Sequence, residues 1–272
     1  MRLSIRVTSR SIRLARCAFA RRRGSAMHGA EAGKPLIKVS HCEKCIYSFG
    51  VPRRCPLCLQ DVGSRKLEEA PVSISNPFAD GHREKCSFLL RPTRGSFLRE
   101  YDGRSDLHVG VTNTNGVVYN YSMHGVQRDE AGWEQSLAVP LLQPNMFGLM
   151  DQWDKYLEDF STSGAWLPHR YDEEQHNCYS YALTFINCVL ATEGRQPLDK
   201  SGFTEKYVLP KTRLASKYIA LYRAIAEHGF CVADCPDRGA SLPTDAEHWV
   251  HGQGAATSAQ EHGSLNAFNC DE

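Results

Sequence analysis

The spacing of apolar residues changes character partway along the chain. From Cys86 onward short runs with strand character come first, at Ser87 to Arg91, Phe97 to Tyr101, Leu107 to Thr112 and Val117 to Tyr121. Helical spacing then takes over. Leu149, Met150, Trp153, Leu157 and Phe160 recur every three or four positions, as do Leu214, Tyr218, Leu221, Tyr222 and Ile225, where Gly229 supplies a stop. Between these two stretches the apolar run from Cys178 to Ala191, opened by Asn177 as a cap, predicts a third helix. Strands followed by helices give an α+β domain over residues 67–234. Residues 1–36 lack a period and are expected to be a disordered extension, residues 37–66 form a small cysteine-rich module, and 235–272 read as a disordered tail of Gly, Ala, Ser, Asp and His.

The clearest local signal is a β-hairpin. A three-residue loop, Thr114-Asn115-Gly116 with Gly116 left-handed, pairs Val111 with Tyr119 and makes one face apolar. The other face then carries His108 and Asn120 with only Gly110 between them, a gap open to a side chain or substrate. A two-residue Asn115-Gly116 loop would instead bury the Asn120 amide beside Val109 and Val111, at a desolvation cost.

Composition bounds the class. With 42% hydrophobic and 23% charged residues the 272-residue chain is globular, and the longest apolar stretch, Tyr181 to Ala191, is broken by Thr184 and Asn187 and too short to span a bilayer. The formal charge of +1 conceals an arginine-rich, acid-free stretch before Glu31. That stretch has mitochondrial presequence composition, but the preferred reading is an extension ahead of a usual start at Met27, because the globular pattern begins only afterwards. Eleven irregularly spaced cysteines without a secretory signal argue against a disulfide framework and for reduced thiols, a metal site or a catalytic thiol. The expected location is cytoplasmic or nuclear, or mitochondrial if residues 1–26 are translated.

Two constellations carry chemistry. In the first, Cys178 stands in the opening turn of a helix, where unpaired backbone N–H groups favour a thiolate and can donate to an oxyanion. His176 and His124 are other candidate bases, expected in exposed loops. A histidine entering a strand as His-x-Gly-Val, a polar residue twelve positions on and a later Asn-Cys opening an apolar helix resemble the circularly permuted papain-like enzymes, of lecithin:retinol acyltransferase-like and PPPDE type. The resemblance implies an NlpC/P60-type antiparallel sheet with packed helices, with Cys178 as nucleophile, His108 as base and Asn120 orienting the imidazole. It implies a hydrolase or acyltransferase acting on a thioester, ester or (iso)peptide. The rival expectation is a non-catalytic domain of the same fold that acts by binding. On a larger scale the chain from Met27, through Pro71-Val72-Ser73-Ile74, Arg99 to His108 and Leu141 to Met146, is closely similar to the makorin-two opposite-strand protein family, whose members are uncharacterised.

The second constellation is Cys42-x2-Cys45 and Cys55-Pro56-Leu57-Cys58, two pairs whose spacing fits a tetrahedral Zn2+ in a zinc-ribbon-like module. A variant donor set is Cys55, Cys58, His82 and Cys86. So small a module has almost no core, so metal binding would fold it, and its use would be contact with a protein partner. Lys44, Arg53, Arg54, Arg65 and Lys66 make it basic, but without stacking aromatics nucleic acid is not the expected ligand.

Overall fold

A computed structural model of the chain describes residues 34–62, 67, 69–142 and 146–235. The expectations for the arginine-rich extension up to residue 33 and for the tail after Cys235 lie outside the described residues. In chain order the strands are β1 (Leu36–His41), β2 (Lys44–Phe49), β3 (Val72–Ile74), β4 (Ser87–Pro92), β5 (Leu107–Thr112), β6 (Val118–Ser122), β7 (Gly125–Asp129) and β8 (Leu137–Pro140). Helices α1 (Phe147–Ser161), α2 (Cys178–Thr192), α3 (Lys200–Phe203) and α4 (Leu209–His228) follow, and β9 (Phe230–Asp234) is the last element among the described residues. The result is α+β with two antiparallel sheets, one ordered β3-β1-β2-β9 and the other β7-β6-β5-β4-β8.

Two boundaries move. Leu36, expected in the disordered extension, opens β1 and is fully buried. The N-terminal hairpin also gains a strand from the far end of the chain, since β9 pairs with β2 with Cys231 opposite Tyr47 and Ala233 opposite Cys45. The expected strand Phe97 to Tyr101 is instead a turn, in which the Glu100 and Tyr101 N–H groups both donate to the Ser96 carbonyl. Its apolar residues explain the difference. Phe97, Leu98 and Tyr101 are all buried in one core, a spacing of one and four that suits a helical turn and not an alternating strand. The Arg223 guanidinium of α4 holds that turn by donating to the carbonyls of Phe97, Leu98, Arg99 and Tyr101 at 2.7–3.2 Å.

The hairpin between β5 and β6 has the patterned register. Val111 lies opposite Tyr119, the Asn113 N–H closes on the Val117 carbonyl, and Gly116 sits at φ 83°. Gly116 has a second reason to be glycine, because a Cβ there would come within 1.9 Å of the His82 carbonyl oxygen. Leu107, Val109, Val111, Tyr119 and Tyr121 face the main core, which α1 and α2 cover with Trp153, Leu157, Tyr181, Ala182 and Phe185. Each such side chain is worth about 1.5–3 kcal/mol on burial, so this face dominates the stability. A smaller cluster of Leu89, Val118 and Trp133 covers the opposite face of the same sheet. On α4 the inward positions are Thr212, Ala215, Tyr218, Ile219 and Ile225, whereas Leu214, expected among them, is exposed; left-handed Gly229 ends the helix.

Candidate metal centre

The β1–β2 hairpin turns in two residues, Cys42 and Glu43, both with positive φ (55° and 58°), the conformation that a two-residue hairpin turn demands and that non-glycine residues resist. Beneath it, residues 53–62 form a knuckle. The Cys55 N–H donates to the Gln60 carbonyl, the Leu59 N–H to the Cys55 carbonyl and the Leu57 N–H to the Cys55 sulfur at 3.4 Å. Turn and knuckle bring His41, Cys42, Cys55 and Cys58 together, with all four donor atoms within 4.8 Å of one another. His41 Nδ1 is 3.0 Å from Cys42 Sγ and 3.7 Å from Cys58 Sγ, and the Cys42 and Cys55 sulfurs are 4.0 Å apart. A tetrahedral zinc bound at about 2.3 Å requires sulfur separations of about 3.8 Å, so this donor set fits the ion.

The electrostatics agree with a cation. The Cys42 thiol is pushed up to about 12, first by its hydrogen bond with Cys58, then by burial and by Cys55, while the Gln60 backbone draws the Cys58 thiol down. Thiolates this close repel one another, and a divalent ion reverses the sign of that interaction. The apolar support is slight: Val39, Ile46, Cys55 and Val62 form a cluster with Ile37, Leu67 and Val232 at its edge.

Of the four cysteines expected as ligands, Cys42, Cys55 and Cys58 lie in this cluster and Cys45 does not. Cys45 is fully buried in β2, and His41 completes the cluster. Strand alternation is the cause. Val39 and His41 of β1 share a face with Ile46 and Lys44 of β2, the face that packs on the knuckle, so Cys45, opposite Ser40, points to the other side. The alternative set with His82 and Cys86 is not formed. His82 Nδ1 donates to the Gly116 carbonyl at 2.8 Å and Nε2 accepts from the Trp133 N–H at 3.3 Å, while Cys86 lies in the main core, its thiol pushed up to about 12 by burial.

His108 and Asn120 do meet, as the hairpin register predicts. Asn120 Nδ2 donates to Asp129 Oδ2, leaving its Oδ1 to accept from His108 Nε2 at 2.8 Å, and Trp133 Nε1 donates to the same Asp129 oxygen. Trp133 closes the gap expected over Gly110: a Cβ on that glycine would lie 2.6 Å from Val118 Cγ1 and 3.1 Å from the indole, over which the Arg91 guanidinium sits at 4.6 Å. Burial lowers the His108 pKa, Arg91 adds to the effect, and Asn120 and Asp129 oppose it, so the ring is a neutral donor.

Cys178 belongs to the other side of that sheet. Asn177 caps α2 as expected, accepting from the Tyr179 and Ser180 N–H groups, and Cys178 packs against the helix-side core. Burial raises its thiol from the ordinary value and outweighs the opposing influence of the Val109, Tyr179 and Cys178 backbone groups, opposite to the expected activation. Val109 and Val111 point toward α2, and His108 and Gly110 toward Trp133, so the expected Cys178–His108 pair is not formed. His176, expected to be exposed, is also engaged: its Nε2 bonds the Ala165 carbonyl, and its ring stacks on Trp166 at 4.5 Å between centroids.

The comparisons with known proteins divide the chain along similar lines. The family model described as DUF4796 N-terminal matches residues 34–62, and DUF4796 C-terminal matches residues 71–225. The chain belongs to the DUF4796 family. It is 77% identical over 217 residues to the MKRN2 opposite strand protein of Homo sapiens, covering 80% of this chain and 97% of that protein. No solved structure matches. Among the described residues no helix is long and apolar enough to cross a membrane.

Proposed function

We propose that this DUF4796 protein is a zinc-stabilised, non-catalytic binding protein. The convergence of His41, Cys42, Cys55 and Cys58 carries this reading. Zinc held there would pin the strained hairpin turn to the knuckle and supply cohesion that four buried side chains cannot. The permuted papain-like architecture enters only as a scaffold, with Cys178 and His108 as packing residues in place of a catalytic pair. The binding surface is the knuckle itself, where Val51, Leu57 and Leu59 are 51%, 44% and 71% exposed within nine residues. Leu59 also carries a positive φ of 61°, so an exposed apolar side chain sits where glycine would be cheaper, a combination that the fold alone does not favour. Arg53 and Arg54 flank these residues, which suits a protein partner bearing acidic and aliphatic side chains, in the cytoplasm or nucleus.

The test is metal stoichiometry on the purified full chain. One zinc per chain is expected, retained in Cys45→Ser and lost or exchanged far faster in His41→Ala and Cys55→Ser. Retention of zinc in His41→Ala together with its loss in Cys45→Ser would restore the four-cysteine assignment and overturn the site described above.

A further inference from the structure

The cysteine that the metal centre leaves out has a partner of its own. Cys45 points to the α4 side of the four-stranded sheet, the face it shares with Tyr47 of β2 and with Cys231 and Ala233 of β9. One residue past the end of β9, Cys235 continues the same face, diagonal to Cys45, and it is near enough to raise the Cys45 thiol. Lys38, directly opposite Tyr47 on the same face, is the cation that draws the Cys45 thiol down. Cys45 is fully buried, whereas Cys235 is partly exposed.

We propose that Cys235 and Cys45 are a paired redox site, in which a small disulfide such as oxidised glutathione reacts first at Cys235 and Cys45 then closes an internal disulfide joining β2 to β9. The balance is that of ordinary thiol exchange. The Cys235 thiolate attacks one sulfur of glutathione disulfide, forming a mixed disulfide and expelling one glutathione thiolate. The Cys45 thiolate then attacks the Cys235 sulfur and expels the second glutathione, so that two protein thiols are oxidised, one glutathione disulfide is reduced, and the two thiol protons pass to the released thiolates. Exposure sets this order, because an oxidant reaches Cys235 and not Cys45. Burial holds the Cys45 thiol up at about 11 while Lys38 opposes that, a balance suited to a resolving thiol supplied with its electrophile by the fold.

Geometry permits the bond. Diagonal neighbours on an antiparallel pair have Cα atoms about 7–8 Å apart, slightly beyond the usual disulfide range of about 4.4–6.8 Å. Cys235 lies outside the paired register, which ends at Lys44 and Asp234, so the ladder does not hold its backbone against the small approach required. The link would fasten β9 to the hairpin that carries His41 and Cys42. It would close a loop of nearly the whole domain, the case in which a cross-link constrains the unfolded chain most.

The experiment uses the zinc-loaded full chain in graded ratios of reduced to oxidised glutathione, quenched with iodoacetamide and mapped by mass spectrometry without reduction. Wild type should yield a Cys45–Cys235 peptide lighter by two hydrogens, with zinc retained. Cys45→Ser should accumulate glutathione on Cys235, because nothing resolves it, and Cys235→Ser should leave Cys45 unmodified. A persistent Cys235 adduct in wild type, a Cys231–Cys235 bridge, or oxidation of Cys42, Cys55 or Cys58 with release of zinc before any Cys45–Cys235 peptide forms would each overturn the proposal. Measuring zinc in the same samples separates failure at this site from failure of the metal assignment.

Discussion

The two sheets apply one geometric rule with opposite results. In the four-stranded sheet, alternation along β1 and β2 turns His41 toward the knuckle and Cys45 away from it, assembling a donor set that contains a histidine. In the five-stranded sheet the same alternation turns His108 toward Trp133 and leaves Val109 to face α2, separating an imidazole from a sulfur only one strand residue away. Proximity along a strand is therefore no guide to meeting. What decides is the parity of each position and which face the next element covers.

The regions also differ in what holds them. The five-stranded sheet is packed on its helix side by an aromatic and aliphatic core, whereas the knuckle side of the N-terminal sheet has four buried side chains and a cluster of three thiols and an imidazole that could hold a metal ion. Chelation of zinc should divide the molecule accordingly. Structural zinc contributes roughly 10–16 kcal/mol of binding energy in small finger peptides, far more than the N-terminal cluster can replace. Under a chelator, backbone amides of β1 and β2 should lose hydrogen-exchange protection by several orders of magnitude while those of β5 and α2 keep theirs. If both sheets open together, β9 and α4 couple them into one cooperative unit and the contrast fails.

How much of this was legible follows the same division. The β5–β6 hairpin, α1, α2 with its Asn177 cap and the Gly229 stop were readable because local spacing and turn chemistry agree with the tertiary contacts. So was the meeting of His108 with Asn120, which needs only the hairpin register. The side of the sheet that α2 would cover is a long-range fact, and no period within β5 records it. The Trp133 lid comes from a loop between β7 and β8 with no pattern of its own. At the candidate metal centre the two Cys-x2-Cys pairs suggested four thiolates, and the first pair straddles a hairpin turn. Reading Leu36 to Phe49 as two strands joined at Cys42-Glu43 would have put His41 and Cys45 on opposite faces and found the histidine. The strand from Phe230 to Asp234 is too short to separate from the end of α4 without its partner β2.

A smaller effect tests the other half of the contrast. His108 has a folded pKa below its ordinary 6.5, chiefly from burial, so the unfolded chain binds the proton more tightly. Stability should then be insensitive to this group above pH 6.5 and should fall as pH drops below it, since protonation favours the unfolded state. His108→Gln, whose amide N–H can still reach Asn120, should change stability near neutral pH by about 1 kcal/mol or less while flattening the acid limb of an equilibrium denaturation series. The same substitution should leave the rate of Cys178 alkylation by iodoacetamide unchanged across pH, and that rate should be slow near pH 6. A rate that is fast near pH 6 and falls in His108→Gln would reunite the imidazole with the sulfur and reinstate the hydrolase reading.

The smallest effect lies in the hairpin turn. Glu43 is exposed and left-handed at φ 58°, and its carboxylate is no member of the metal donor set. A non-glycine residue costs about 1–2 kcal/mol in that conformation, and glycine avoids the strain while raising the entropy of the unfolded chain. The difference leaves Glu43→Gly stabilising by about 0.5–1 kcal/mol, read as a higher denaturation midpoint of the zinc-loaded protein with the slope of the transition unchanged. Gly50, by contrast, is already left-handed at φ 97° with open space where a Cβ would go, so Gly50→Ala should destabilise through its backbone alone. Opposite signs at the two ends of β2 would show that backbone conformation, and not side-chain contact, sets these energies. Equal signs would mean that the turn carrying Cys42 is held in place by the metal so firmly that its own strain no longer matters.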